Sequence, residues 1–502
     1  MTPRLPLLIL SLLALSSGSA CTRRSTAQPI PPVGNLTPRS FAPTDVSAEA
    51  RRAIADRLSK RERQYRELLD PGSLWNELRI EQRDIDSRRI SLPRLIDIGR
   101  DLFASDFTLE QGLGNGLAAR KSPLAASRPA PNLRHVHYRD FGAPDGTRCV
   151  GCHHIGGVGG AGFRSDNSFM DGDGDLPSSG LERNPRPLFG AALLQRLGEE
   201  MTADLQAQVR DAIKNLRAGQ SMPLSAKGLS FGSLKRGNNG KLDFTGVRGV
   251  SLDFIVRPFG WKGTSNSLRQ MVVTSLQQNL GIQAEELVSR IAQSGRLGDG
   301  PMDDPDADGV SREATEGMVT ALTTYLAALT PSSEDLLLAP HFSLQLARGQ
   351  KLFQSLGCAD CHTPELSLND PVLRLGPGEH SLPMVDLTPL LASSATADKR
   401  PLTVRLFSDL RRHNMGDDLA DRRGYLGIPR NLWLTPPLWG ISSTGPYLHD
   451  GRAGDIETAI LAHGGEASAS RDAYAKMQVA DSEPLRMFLL SLNRPAQVEF
   501  KP

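Results

Sequence analysis

The chain has 502 residues, 39% of them hydrophobic and 23% charged, with a formal net charge of +2 at pH 7. That length suits two or three domains, and that composition a soluble globular protein. The near-neutral balance and the lack of a basic stripe with interleaved aromatics exclude nucleic acid as the expected partner.

The first 21 residues, MTPRLPLLILSLLALSSGSAC, read as a signal peptide: an early Arg, an apolar run, then small residues. The run is too short for a comfortable membrane span. Its end, GSAC, is similar to a bacterial lipobox, with Gly18 where that motif has Leu. Lipidation of Cys21 would anchor an exported, periplasmic protein to the membrane, because several acyl chains hold where one does not. Plain cleavage with soluble release is the rival. Residues 22–45 are rich in Pro, Ser and Thr and read as a flexible tether. Residues 46–90 form an N-terminal helical extension with a solvated, charge-dense face.

After Pro93 the apolar residues of RLIDIGRDLF recur at helical spacing. Further amphipathic helices are expected over 199–216, 267–293 and 311–331. The stretch FSLQLARGQKLFQSLGCADCH runs from a helix straight into a cysteine motif. Both halves carry a helix reading G-(R/Q)-(D/K)-L-F ahead of a CxxCH, a weak internal repeat that implies two related helical domains in tandem, 91–335 and 336–502. Residues 363–400 lack periodicity and read as a long loop. Strand signals are sparse, so the expected class is mainly α.

The five cysteines are Cys21, Cys149, Cys152, Cys358 and Cys361. The last four form CVGCH (149–153) and CADCH (358–362), which leaves no spare pair for a structural disulfide. CxxCH is the signature of c-type haem attachment. The two thiols add across the haem vinyl groups and the adjacent histidine reaches the iron. A thioredoxin-like dithiol needs a βαβ context that neither motif has. A zinc site needs the two cysteine pairs to meet in space, and it leaves the repeated histidine unexplained. Two covalently bound haems follow, with His153 and His362 as proximal ligands. What fills each sixth position decides function: two protein ligands favour electron transfer, and an open position admits peroxide or dioxygen.

DPDADG places Asp304, Asp306 and Asp308 at the alternating spacing of calcium loops, ahead of Gly309. A bound calcium ion and an acidic surface loop are both compatible with that pattern. DGDGD (171–175) is a weaker version of it.

Four further blocks, RNPRPLFGAALL (183–194), RPFGWKG (257–263), SDLRRHNMGDDLAD (408–421) and TPPLWGISSTGPYLHDGRAGDIETAILAHGGEA (435–467), resemble those of bacterial di-haem oxidoreductases. These are peroxidases by family description, related to di-haem cytochrome c peroxidases and to the methylamine-dehydrogenase maturation enzyme. The resemblance covers residue 95 to the C-terminus and implies two cytochrome-c-like helical domains with long loops. It puts the second haem's sixth ligand at His463, with Met415 as the rival. The first haem lacks a matching distal histidine, since the only one in the following stretch is His154. His135 and His137 lie upstream. The first haem is therefore expected to be the reactive one. The resemblance places Arg183, Arg186, Glu199 and Glu200 in or just after the block shaping that pocket. It makes Trp261 a candidate relay between the haems, while Trp439 and Tyr447 are assigned to the core. The implied activity is peroxidase-like: the first haem takes peroxide, and the second relays electrons from a small periplasmic donor, a cytochrome c or a cupredoxin. The rivals are a pure electron-transfer cytochrome and an oxygenase or protein-modifying oxidase working with dioxygen.

Overall fold

A computed structural model of the protein describes residues 76–114, 144–170, 180–293, 304, 309–331, 333–334, 339–378, 380–391 and 401–493. All of them fall in one compact unit, Pro71–Pro502. The signal peptide, the tether and most of the N-terminal extension lie outside the described residues. So do His135, His137, Asp306, Asp308 and the DGDGD stretch. Among the described residues no helix is long and apolar enough to cross a membrane.

Short α1 (Gln82–Asp86) leads into α2 (Leu92–Ala104). Ser91 caps α2 by accepting from the Arg94 N–H, and Pro93 sits in the first turn, where its missing N–H costs nothing. The first CxxC is the four-residue α3 (Cys149–Cys152). The pair β1 (Ser168–Met170) and β2 (Leu181–Arg183) follows, then the long α4 (Ala191–Asn215). A three-stranded antiparallel sheet comes next: β3 (Ser221–Ala226), β4 (Leu229–Arg236) and β5 (Leu242–Asp243). Helix α5 (Leu268–Ser275) runs into a π-helical turn, Leu276–Leu280, which Gly281 ends in the left-handed conformation. Then come α6 (Glu285–Gln293) and α7 (Glu316–Ala328). Every residue of α7 from Gly317 to Ala327 is buried, as expected of a helix packed on several sides. Its neighbours are α1, α2, α4 and α5.

The second half holds β6 (Ser333–Glu334) and α8 (Ala339–Ser355), then a 3-10 turn, Cys358–Asp360, that carries the second CxxC. Short strands follow: β7 (Leu366–Leu368), β8 (Val372–Arg374), β9 (Met384–Asp386), β10 (Leu402–Val404), β11 (Arg412–Asn414) and β12 (Leu432–Leu434). The chain ends with α9 (Ile456–Leu461), α10 (Ser468–Ala475), α11 (Val479–Ser491) and β13 (Leu492–Asn493), the last pairing with β6. One apolar cluster runs from Leu78 to Trp439, and a second gathers Phe353, Phe407, Tyr474, Phe488 and Leu489.

The internal repeat has a structural meaning. Gly99 of α2 lies against the Ala321 carbonyl of α7, and Gly349 of α8 lies against the Pro484 carbonyl of α11. A Cβ at either glycine would overlap that oxygen, so both copies of the pattern mark a close helix crossing. The phenylalanine four residues on, Phe103 or Phe353, is then buried near the following cysteine motif.

The expectation of a mainly α chain is overturned. Among the described residues 41% are helical and 15% strand, the strands forming several small sheets. Those strands are two to eight residues long, and most have three residues or fewer. Such segments leave no long apolar alternation to read. The stretch 363–400, expected as a loop, contains β7, β8 and β9. The helix expected over 267–293 is broken at Gly281, and the one over 199–216 starts earlier, at Ala191.

Candidate functional site

The first motif is built almost entirely from local sequence. The His153 N–H closes on the Cys149 carbonyl at 3.0 Å. The chain then folds into a small ring in which Ile155 and Ala161 exchange backbone hydrogen bonds of 2.7 and 2.9 Å. Gly156, Gly157 and Gly159 supply the positive φ values that ring requires. Gly160 sits so tightly on Ile155 that no side chain fits there. The ring delivers the Gly160 carbonyl to His153 Nδ1 at 3.1 Å, and the Arg186 backbone also bonds to the imidazole. Burial holds the imidazole below its ordinary pKa, so it stays neutral and able to ligate. The ring packs on Phe103, centroid to centroid 6.4 Å, and among the described residues no second imidazole faces it.

At the second motif the His362 N–H again closes on the first cysteine, Cys358, at 2.9 Å. His362 Nδ1, however, meets the carbonyl of Phe407, a non-glycine residue held at positive φ, at 3.0 Å. His463, at the end of α9, donates from Nδ1 to the Ala459 carbonyl at 2.7 Å. The two imidazoles face each other with centroids 6.5 Å apart and planes at 55°. That gap admits one metal ion with metal–nitrogen bonds of ~2 Å to each Nε2. Burial first, and His463 opposite second, hold His362 down to about 4. All three imidazoles thus donate one nitrogen to a backbone carbonyl, the arrangement that orients metal-bound histidines.

No disulfide joins the four motif cysteines. Burial pushes Cys149 up to about 12 and Cys152 and Cys358 to about 11. Thiols held that high are poor thiolates, which disfavours a redox dithiol. Two thiols beside one oriented, neutral histidine, twice over, fit the donor set that c-type haem attachment requires.

A cavity of about 320 Å³ lies against the second motif. His362, His463 and Met415 line it, as do Ala161, Arg186 and Trp261 from the first half of the chain. Trp261 Nε1 donates to the Asn184 carbonyl at 2.8 Å, and the Arg186 guanidinium lies 5.2 Å above its ring. Burial lowers Arg186 to about 10, and its Nη1 donates to the Gly260 carbonyl. The structure thus brings Arg186, Trp261, His362, His463 and Met415 together. Glu199 is instead paired with Arg196 and accepts from Gln195 on α4. Glu200 pairs with Lys227 and accepts the Asn369 and Asp370 N–H groups. Neither glutamate lines the cavity. Asp304 Oδ2 accepts the Gly309 N–H at 3.0 Å, and its two partner aspartates lie outside the described residues.

One cluster escaped the sequence reading. Arg183 on β2 forms a bidentate pair with Asp421, 2.9 and 2.8 Å, and Lys262 Nζ lies 3.1 Å from the same carboxylate. Lys262 is 1% exposed. It donates to the carbonyls of Pro429, Arg430 and Leu432 and stands 3.7 Å over the Trp433 ring. Trp433 in turn stacks on His449 at 4.0 Å. Two buried cations share one carboxylate, with an indole face supplying the remaining stabilisation. Arg183 was a candidate, and Lys262 and Asp421 fall in the family-like blocks, but nothing in sequence ties them together, since the Arg183–Asp421 pair crosses 238 positions.

Residues 250–492 match the model of the family described as "Di-haem oxidoreductase, putative peroxidase", which bears out the resemblance read from the sequence. No curated protein matches the chain. Among solved structures, a MauG-like protein associated with microbial copper homeostasis is similar at 15% identity, over 60% of this chain and 88% of that one. The TM-score is 0.27, at which the likeness carries no argument.

Proposed function

We propose that the protein is an exported di-haem c-type oxidoreductase of the peroxidase kind, with two unequal haem sites. The inequality of the two histidine environments carries this reading. His362 is met by His463, whereas His153 meets Phe103 among the described residues. Bound haem supplies an iron that passes electrons when both axial positions are filled and takes peroxide or dioxygen when one is open.

In this reading Cys149 and Cys152 hold the first haem through thioethers, and Cys358 and Cys361 hold the second. The Gly160 and Phe407 carbonyls aim His153 and His362 by accepting from Nδ1. His463 closes the second site, with Met415 as the rival ligand in the same cavity. Residues 91–335 then form the reactive domain and 336–502 the electron-transfer domain. Trp261, reached from both halves of the chain, is the relay, and Arg186 above it is the buried cation beside the path. The signal sequence supports a periplasmic setting, with an anchor at Cys21 and a small donor, a cytochrome c or a cupredoxin, docking there. Asp304, Asp306 and Asp308 are proposed as calcium ligands, and removal of calcium by a chelator should then lower thermal stability.

The test combines electron paramagnetic resonance with stopped-flow peroxide titration of protein carrying two haems per chain. One high-spin, peroxide-reactive haem beside one low-spin haem is expected. Two low-spin haems inert to peroxide would overturn the reading in favour of an electron-transfer cytochrome. Dioxygen consumption without peroxide turnover would move it to an oxygenase.

A further inference from the structure

We propose that Asp409, His413 and Glu466 form an ionic strap that ties the proximal side of the second haem site to its distal side and holds His463 in place. The proposal rests on the reading of His362 and His463 as an axial pair.

His413 lies on β11 and is 4% exposed. Its Nε2 is 2.8 Å from Asp409 Oδ2 and its Nδ1 is 2.8 Å from Glu466 Oε2. A carboxylate only accepts, so both ring nitrogens carry a proton and the ring is an imidazolium bridging two anions. Charge-assisted hydrogen bonds of this kind are about twice as strong as neutral ones. One donor atom each of Cys361, Asp409 and His413 falls within 4.8 Å of the others, a grouping that resembles a metal site. The ring, however, has no nitrogen left to ligate, and the Cys361 sulfur belongs to the haem attachment.

Each end of the strap is fastened to one axial histidine. Asp409 is fully buried, and its N–H donates to the Cys361 carbonyl at 2.9 Å. It stands two residues after Phe407, the residue that orients His362. Glu466 stands three residues after His463, in a short turn, Gly465–Ala467. Its second oxygen accepts the Asn414 N–H at 2.8 Å. Gly465 sits so close to the Asn414 carbonyl that a side chain there would overlap it. The loop carrying His463 is therefore docked on β11, and β11 is fixed by its antiparallel pairing with β12. His413 acts through His463 and touches no reacting atom, so it is a positioning residue.

The test uses the holoprotein in its ferrous form, with carbon monoxide as the probe. Carbon monoxide binds the second haem only after the distal ligand has left, so its slow binding phase reports how firmly His463 is held. Glu466→Ala removes a half-exposed side chain and leaves the core intact. We expect the slow phase to accelerate by about tenfold, the factor that corresponds to about 1.4 kcal/mol. The second haem's low-spin signal should split into two species, and Glu466→Gln, which keeps an acceptor, should fall between the two. Glu457→Ala on α9 serves as the charge-removal control and should leave the phase unchanged. An unaltered slow phase in Glu466→Ala, together with a faster one in His463→Ala, would overturn the strap alone. An unaltered phase in His463→Ala as well would remove the axial pair, and the strap with it.

Discussion

At the first CxxCH motif the carbonyl that orients the histidine stands seven residues away in the same loop; at the second it stands 45 residues away. The first site also takes its tight geometry from four glycines within five residues, 156–160, all inside that loop. The second takes it from Phe407, from the strap between Asp409 and Glu466, and from a helix end carrying His463. Two motifs of identical spacing thus have their histidines aimed once by local backbone and once by tertiary structure. The two sites should therefore fail in different ways.

The sharpest way to break that comparison is to remove each cysteine pair. Cys149→Ser with Cys152→Ser, and Cys358→Ser with Cys361→Ser, should each lower haem content from two to one per chain. Cys149 and Cys358 each pack on an apolar cluster, but loss of the second pair should disturb its surroundings more, because the carbonyl that aims His362 comes from Phe407, 45 residues away. Pyridine haemochrome content and near-ultraviolet circular dichroism separate the two losses. Equal loss of tertiary signal in both would erase the distinction.

Asp421→Asn should come next, at about 3–5 kcal/mol, since it leaves Arg183 and Lys262 buried with no carboxylate. Arg183 comes from the first half of the chain and Asp421 from the second, so urea denaturation should show both sites weakened together. Smaller again, Gly99→Ala and Gly349→Ala should each cost about 1–3 kcal/mol by forcing a helix crossing apart. The first should disturb the first haem's spectrum and the second the other's, read by visible circular dichroism.

The smallest effect is a slope with pH. Burial lowers Lys262 to about 8, against the pull of Asp421, while in the unfolded chain the amine keeps its ordinary value of 10.5. Between those values the unfolded chain binds more protons, so stability relative to Lys262→Met should rise from pH 8 towards 10.5. Denaturation midpoints of both proteins across that range check the sign.

What was legible in sequence follows from how each feature is written. The cysteine motifs are contiguous, and their chemistry needs those residue types side by side, so the donor sets could be read directly. His463 came through the resemblance, and the structure places its ring opposite His362. The G-(R/Q)-(D/K)-L-F repeat was visible as a pattern, but its reason, a helix crossing, was not. The carbonyls of Gly160 and Phe407 carry no side-chain identity, so nothing in the sequence marks them as functional. Arg183 was singled out, yet its partner Asp421 belongs to a block with no obvious tie to it. Glu199 and Glu200 looked available on a helix, but each is already satisfied by a neighbouring cation. The small sheets were missed because their burial alternates over only a few residues, as in Leu224 and Ala226 against exposed Pro223 and Ser225 on β3.

The seven-residue reach at His153 also sets an order of assembly. A chain emerges from its amino end, and early segments can fold before later ones exist. The first histidine is followed almost at once by the carbonyl that aims it, so that one contact needs no later part of the chain. His362 must wait for Phe407, then for β11 and β12, and last for the helix that brings His463. A chain truncated between residues 160 and 407 would therefore keep the carbonyl that aims His153 and lack the one that aims His362.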